Sequence, residues 1–217
     1  MFELKGALSD LFRPGAIDAE TGAYNAQLAA SQAAMPKVYE MGAIRMRELR
    51  HSQWLAESGG PSPMAVERAV PGPGGAIPLR VFVPDRVHGV YLHIHGGGFV
   101  IGEACASDAR NEAIARRCEV AVVSMDYRLA PEHPHPAAPD DCEAVALWLA
   151  ANGASEFGSG QLLIGGESAG ANLAVATLLR LRDRHGFRGF AAANLTFGVH
   201  DQTGTPSVHL LGEAPSS

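Results

Sequence analysis

Two hydrophobic rhythms divide the chain. Up to about residue 60 the background is Ala-rich and helix-prone, with breaks at Pro14-Gly15 and Pro36. Val38, Met41, Ile44 and, less regularly, Leu49 predict an amphipathic helix closed by Gly59-Gly60-Pro61. After Pro63 short strand-like runs take over. Val66–Val70 and Leu79–Val83 flank Pro71-Gly72-Pro73-Gly74-Gly75, the pattern of an antiparallel hairpin. Val90-Tyr91-Leu92-His93-Ile94-His95 is apolar at alternate positions and runs into three glycines. Val120–Met125 is apolar almost throughout, as expected of a strand covered on both faces. Leu162-Leu163-Ile164 reads the same way, and Phe190–Val199 predicts one more strand.

Helical spacing fills the gaps between these runs. Residues 107–118 predict a short helix. Cys142, Val145, Ala146 and Leu149 share a face, with Asp140 and Asp141 at the N-terminal end where the macrodipole favours them. Ala171, Ala174, Leu178 and Leu181 line another helix that Gly186 stops. Alternating strands and helices predict an α/β fold with a mostly parallel, doubly wound sheet. The expected organisation is an N-terminal helical lid or arm over residues 1–60 and an α/β core over 61–217.

Composition narrows the classes. A net charge of −6 with no basic stripe argues against nucleic-acid binding. No apolar run approaches the roughly 18 residues of a membrane span. The start, Met1-Phe2-Glu3-Leu4-Lys5-Gly6, lacks the design of a secretory signal, so the cytoplasm is the expected location. Cys105, Cys118 and Cys142 are odd in number and without ligand spacing, and read as reduced, buried thiols.

The chemistry sits in two short motifs. Gly166-Glu167-Ser168-Ala169-Gly170 has the G-x-S-x-G pattern of a strained turn that lifts a serine hydroxyl above a sheet. It follows a strand-like run and opens an amphipathic helix, the context such a turn needs. Gly166 and Gly170 let strand and helix approach, and the helix N-terminus aims N–H groups at developing negative charge. Upstream stands His95-Gly96-Gly97-Gly98-Phe99. Neither phosphate-binding glycine pattern can be threaded through Gly96–Gly102. A backbone nest offering the N–H groups of Gly97 and Gly98 to an oxyanion, joined by that of Ala169, accounts for both motifs together. The pairs His93/His95 and His133/His135 lack a third ligand in any obvious pattern, so no metal is expected, and no cofactor.

These residues, with Asp126-Tyr127-Arg128-Leu129-Ala130-Pro131-Glu132-His133-Pro134 between them, resemble the hormone-sensitive-lipase-like family of α/β-hydrolases, also called α/β-hydrolase fold-3, which includes bacterial carboxylesterases. The resemblance covers roughly residues 65–200. It implies a carboxylic-ester hydrolase in which Ser168 attacks a small ester to give an acyl-enzyme. Gly97, Gly98 and Ala169 would hold the oxyanion; His95, Gly96 and the segment around Tyr127 would brace the loop. Glu167 stands where the family usually has Asp, and Ala171 replaces a frequent glycine.

The family's catalytic acid and histidine follow the serine on two later strands. The 217 residues stop before them, so the sheet is expected to be truncated after about the sixth strand and the base-assisted part of the mechanism to be lost, which leaves open whether this chain is active. Asp201, His200 and His209 offer no ready substitute, because no later strand returns the chain to Ser168. The last predicted strand is expected to leave an open apolar edge that favours self-association. Two other readings stand beside the enzyme: a non-enzymatic small-molecule-binding protein on the same fold, and a fragment completed by another chain.

Overall fold

The computed structural model describes residues 17–34 and 38–201. Contacts divide the chain between Gly42 and Ala43 into two compact units. In the first, helix α1 (Ala19–Ala34) starts at Asp18, whose carboxylate accepts the Thr21 N–H at 2.7 Å.

Helix α2 spans Val38–Ser58 but is interrupted at Gly42, which has φ 73° and ψ 163°. The interruption resets the helical phase. Ile44, expected on the buried stripe, is 65% exposed, and Met46, which the periodicity passes over, is 1% exposed. A 3.6-residue rhythm does not carry across a residue that leaves the helix.

The second unit is built on six strands: β1 (Val66–Gly72), β2 (Gly75–Phe82), β3 (Gly89–Ile94), β4 (Val120–Met125), β5 (Leu162–Glu167) and β6 (Phe190–Thr196), in the order β1-β2-β4-β3-β5-β6. The hairpin β1–β2 pairs down to Gly72 and Gly75, leaving Pro73-Gly74 as the turn. β2 runs antiparallel to β4, and β4, β3, β5 and β6 are mutually parallel.

The parallel strands are apolar throughout because both faces are covered. On one face Val90, Leu92 and Ile94 pack with Cys142, Val145, Ala146 and Leu149 of α4 (Ala137–Phe157), and with Leu173, Ala174 and Leu181 of α5 (Ala169–His185). On the other, Tyr91, Val122 and Phe82 meet Ala115 of α3 (Asp108–Cys118). A short 3₁₀ turn, Ala104–Ser107, leads into α3, and Gly186 at φ 64° ends α5. Burying each large side chain of the first face contributes about 1.5–3 kcal/mol, which makes it the dominant core.

Three expectations need correction. Cys118 is exposed rather than buried, since it closes α3 on its solvent side; only Cys142 is fully buried. The last strand ends at Thr196, not Val199, because Phe197 turns to φ 40° and leaves extended backbone. The short helix predicted at residue 107 starts one residue later, after its 3₁₀ lead-in. Among the described residues β6 is hydrogen-bonded on one side only, to β5. Around it Leu195, Phe197 and Val199 are 39, 74 and 59% exposed.

Candidate active site

β5 ends at Glu167 and α5 begins at Ala169, so Ser168 alone makes the turn between them. Its backbone stands at φ 52°, ψ −116°, a strained conformation for a residue with a side chain, costing of order 1–3 kcal/mol. Two hydrogen bonds hold it: Ser168 N–H donates to the Thr196 carbonyl at 3.0 Å, and Asn172 N–H donates to the Ser168 carbonyl at 3.1 Å. The hydroxyl does not cap α5, although serine is a favoured capping residue. The turn is possible because β5 and α5 both press on β3. A side chain at Gly166 or at Gly170 would overlap the Ile94 carbonyl oxygen.

The glycine loop is tied directly to this turn. Gly96 N–H donates to Glu167 Oε1 at 3.0 Å. Gly97, at φ 124°, then bends the chain so that its carbonyl accepts from Val100 and Ile101 N–H at 3.1 and 2.9 Å. Gly98 is exposed, with open space where a side chain would stand. Ala169 is the first residue of α5, so its N–H has no acceptor within the helix and lies at the positive end of the macrodipole.

Glu167 is the hub of the support. Its Oε2 lies 2.9 Å from Arg110 Nη2 and 3.1 Å from His93 Nε2. Burial works against the carboxylate, but hydrogen bonds from His93, Gly96 N–H and Arg110 outweigh it and hold the carboxyl at about 2. Burial pushes the His93 and His95 imidazoles below their ordinary values, so both rings are neutral near pH 7. His95 stacks on Tyr127 with ring centroids 4.3 Å apart, and the Tyr127 hydroxyl donates to the His95 carbonyl at 2.9 Å. His95 Nδ1 lies 2.8 Å from the Gly96 carbonyl, which accepts its proton. His95 and Tyr127 are thus joined to each other and to the start of the loop by one stacked pair and two hydrogen bonds.

Two arginines that sequence reasoning passed over complete the frame. Arg110 touches Glu167, and Arg47 reaches from α2 to the Val100 carbonyl (2.8 Å), the Ala130 carbonyl (2.7 Å) and Glu132 (2.8 Å). Neither stands out in the sequence: the partners of Arg47 lie 53 to 85 residues away, and Arg110 meets Glu167 57 residues away besides Ser107 and His93. Beside the glycine loop a cavity of about 540 Å³ is lined by Gly98, Phe99, Val100, Ala130, Leu173 and Ala176, among others.

His93 and His95 are taken up in supporting Glu167 and the glycine loop, and His133 and His135 are exposed on the wall of the cavity beside Gly98. His200 and Asp201 are exposed beyond β6, and His209 lies outside the described residues. Among the described residues no histidine is hydrogen-bonded to the Ser168 hydroxyl. Cys105 is no rival nucleophile, because burial, reinforced by Glu103, pushes its thiol up to about 12. Among the described residues one group has metal-ligand proximity: His51, Glu103 and Cys105.

A strained serine turn and a glycine loop, set at the ends of adjacent parallel strands with helices on both faces, define an α/β-hydrolase architecture. The family model for the alpha/beta hydrolase fold matches residues 91–214, more than half of the chain. The chain belongs to that family, in its hormone-sensitive-lipase-like branch.

Similar proteins carry esterase names. Carboxylic ester hydrolase LipN of Mycobacterium tuberculosis is 38% identical over 139 residues, 62% of this chain and 37% of LipN. Esterase LipI of the same organism is 39% identical over 133 residues, 58% of this chain and 41% of LipI. The chain thus spans well under half the length of these relatives. Among solved structures, the Pyrobaculum calidifontis esterase superposes with a TM-score of 0.71 at 33% identity, covering 79% of this chain and 57% of that one. The carboxylesterase EstE1, from a metagenomic library, gives 0.72 at 30% identity, covering 83% and 64%. No helix among the described residues is long and apolar enough to cross a membrane.

Proposed function

We propose that the protein hydrolyses carboxylic esters through an acyl-enzyme on Ser168. The strained Ser168 backbone between β5 and α5 carries this reading, because it takes Ser168 out of both elements, next to Glu167, whose carboxylate is bonded to the glycine loop. Attack of the hydroxyl oxygen on the ester carbonyl forms the acyl C–O bond to Ser168, the ester C–O bond breaks and the serine proton leaves with the alcohol; water then cleaves the acyl-serine bond, releasing the acid and restoring the hydroxyl. The N–H groups of Gly97, Gly98 and Ala169 stabilise the oxyanion, each contributing about 2.7–4 kcal/mol to lowering the barrier. The cavity beside Gly98 and Phe99 receives an apolar part of a small ester. His95, Gly96, Tyr127 and Glu167 keep the loop in place, while Gly166 and Gly170 allow the close packing. The relatives' esterase names support the same reaction class.

The test is p-nitrophenyl acetate with the 217-residue chain and Ser168→Ala. The expected result is release of nitrophenol above the buffer rate, with an acetyl adduct found by mass spectrometry on the peptide containing Ser168. Equal rates in the two proteins, with no adduct, would overturn it. The open β6 edge is further proposed to mediate self-association of this chain, as exposed strand edges do.

A further inference from the structure

Outside the active site, three unlike donor groups meet. His51, on the exposed side of α2, and Glu103 and Cys105, on the arm that leaves the glycine loop, place one nitrogen, one oxygen and one sulfur within 4.8 Å of one another. His51 Nδ1 already lies 2.7 Å from Glu103 Oε1. His51 is exposed and Glu103 and Cys105 are half-buried, so solvent and small ions reach them. Imidazole, carboxylate and thiolate together are the donor set of a borderline-soft divalent ion, with bonds of about 2.0–2.3 Å. Such bonds put tetrahedral ligands roughly 3.3–3.8 Å apart, so the His51–Glu103 pair needs to open by about half an ångström. Neither side chain is locked against that, since they are 46 and 33% exposed.

Glu103 and Cys105 line a 230 Å³ cavity with Asp126, Glu67, Arg68 and Arg80. Both guanidiniums are paired, Arg80 with Asp108 through Nε at 2.8 Å and with Glu67 at 3.1 Å, and Arg68 with Glu156 at 2.9 Å. The cavity also gives a water access as a fourth ligand. We propose that His51, Glu103 and Cys105 form a binding site for a divalent transition metal, Zn²⁺ being the best chemical fit, which fastens α2 to the arm leaving the glycine loop. Binding forms an S–metal bond and releases the Cys105 thiol proton to solvent. Helix α2 and the loop are already joined by Arg47, so the ion adds a second tie one helical turn further on.

Cobalt(II) tests this on the full chain without reference to activity. A thiolate-to-cobalt charge-transfer band in the near ultraviolet is expected, saturating at one ion per chain. Cys105→Ser removes the band, and Cys118→Ser, at the exposed thiol, leaves it unchanged. In competition with a chromophoric chelator, His51→Ala weakens Zn²⁺ binding at least about tenfold. No band in the unaltered chain overturns the proposal, as does a band that survives Cys105→Ser or disappears in Cys118→Ser. If Cys105→Ser does not fold, His51→Ala decides, with unchanged affinity counting against the site.

Discussion

At the scale of single residues, Glu167 links the two halves of the candidate active site. Its carboxylate accepts the Gly96 N–H while Arg110 and His93 hold its other oxygen, so the serine turn and the glycine loop share one ionised group. A carboxyl held at about 2, against an ordinary 4.5, contributes stability that is complete above pH 4.5 and lost as pH falls toward 2. The contribution is of order 2–3 kcal/mol. Glu167→Gln is therefore expected to lower unfolding free energy at pH 7 and to match the parent near pH 2, as read by urea titration at both. In the parent, an earlier decline begins below about pH 6.5. There the unfolded chain protonates His93 and His95 while the folded one keeps them neutral. The sequence showed Ser168 and its flanking glycines because their spacing is local. It gave no sign of Arg110, whose role depends on α3 bringing its guanidinium to Glu167 at the end of β5.

At the scale of elements, long-range charge pairs fix helices on the sheet. Arg80 of β2 is buried against Asp108, the first residue of α3, which also accepts the Ser62 N–H at 2.8 Å. Removing one partner strands a buried charge, so Asp108→Ala is expected to cost about 3–5 kcal/mol, measured by chemical denaturation. The helices themselves were legible. The stripes Cys142–Leu149 and Ala171–Leu181 are uninterrupted, and they pack as their period requires. The stripe of α2 was not, because Gly42 breaks the helix inside an otherwise periodic run and shifts the buried position to Met46. Where β6 ends was equally hidden, since Phe197 and Val199 are as strand-prone as the residues before them and only the turn at Phe197 separates them.

At the scale of the whole molecule, the described part of the sheet is well covered through β3, β4 and β5, and β6 is paired there only with β5. One face of that margin is a depression of about 260 Å³ between Tyr91, Ile114, Leu163 and Ala192. Light scattering on the 217-residue chain is expected to show mass rising with concentration, and Leu195→Lys to reduce that rise, because a charge on an edge strand opposes pairing. The parallel α/β class was readable from the alternation of strand and helix. The order of the strands was not, since it depends on which surfaces the crossovers bring together. The hydrogen bond from Ser168 N–H to the Thr196 carbonyl gives this margin a wider reach. Among the described residues the serine turn hangs from the outermost strand, which is paired only with β5. Each time that strand frays, the serine loses one of its two backbone anchors. The amide of residue 168 would then exchange with solvent at the pace of the periphery rather than of the interior.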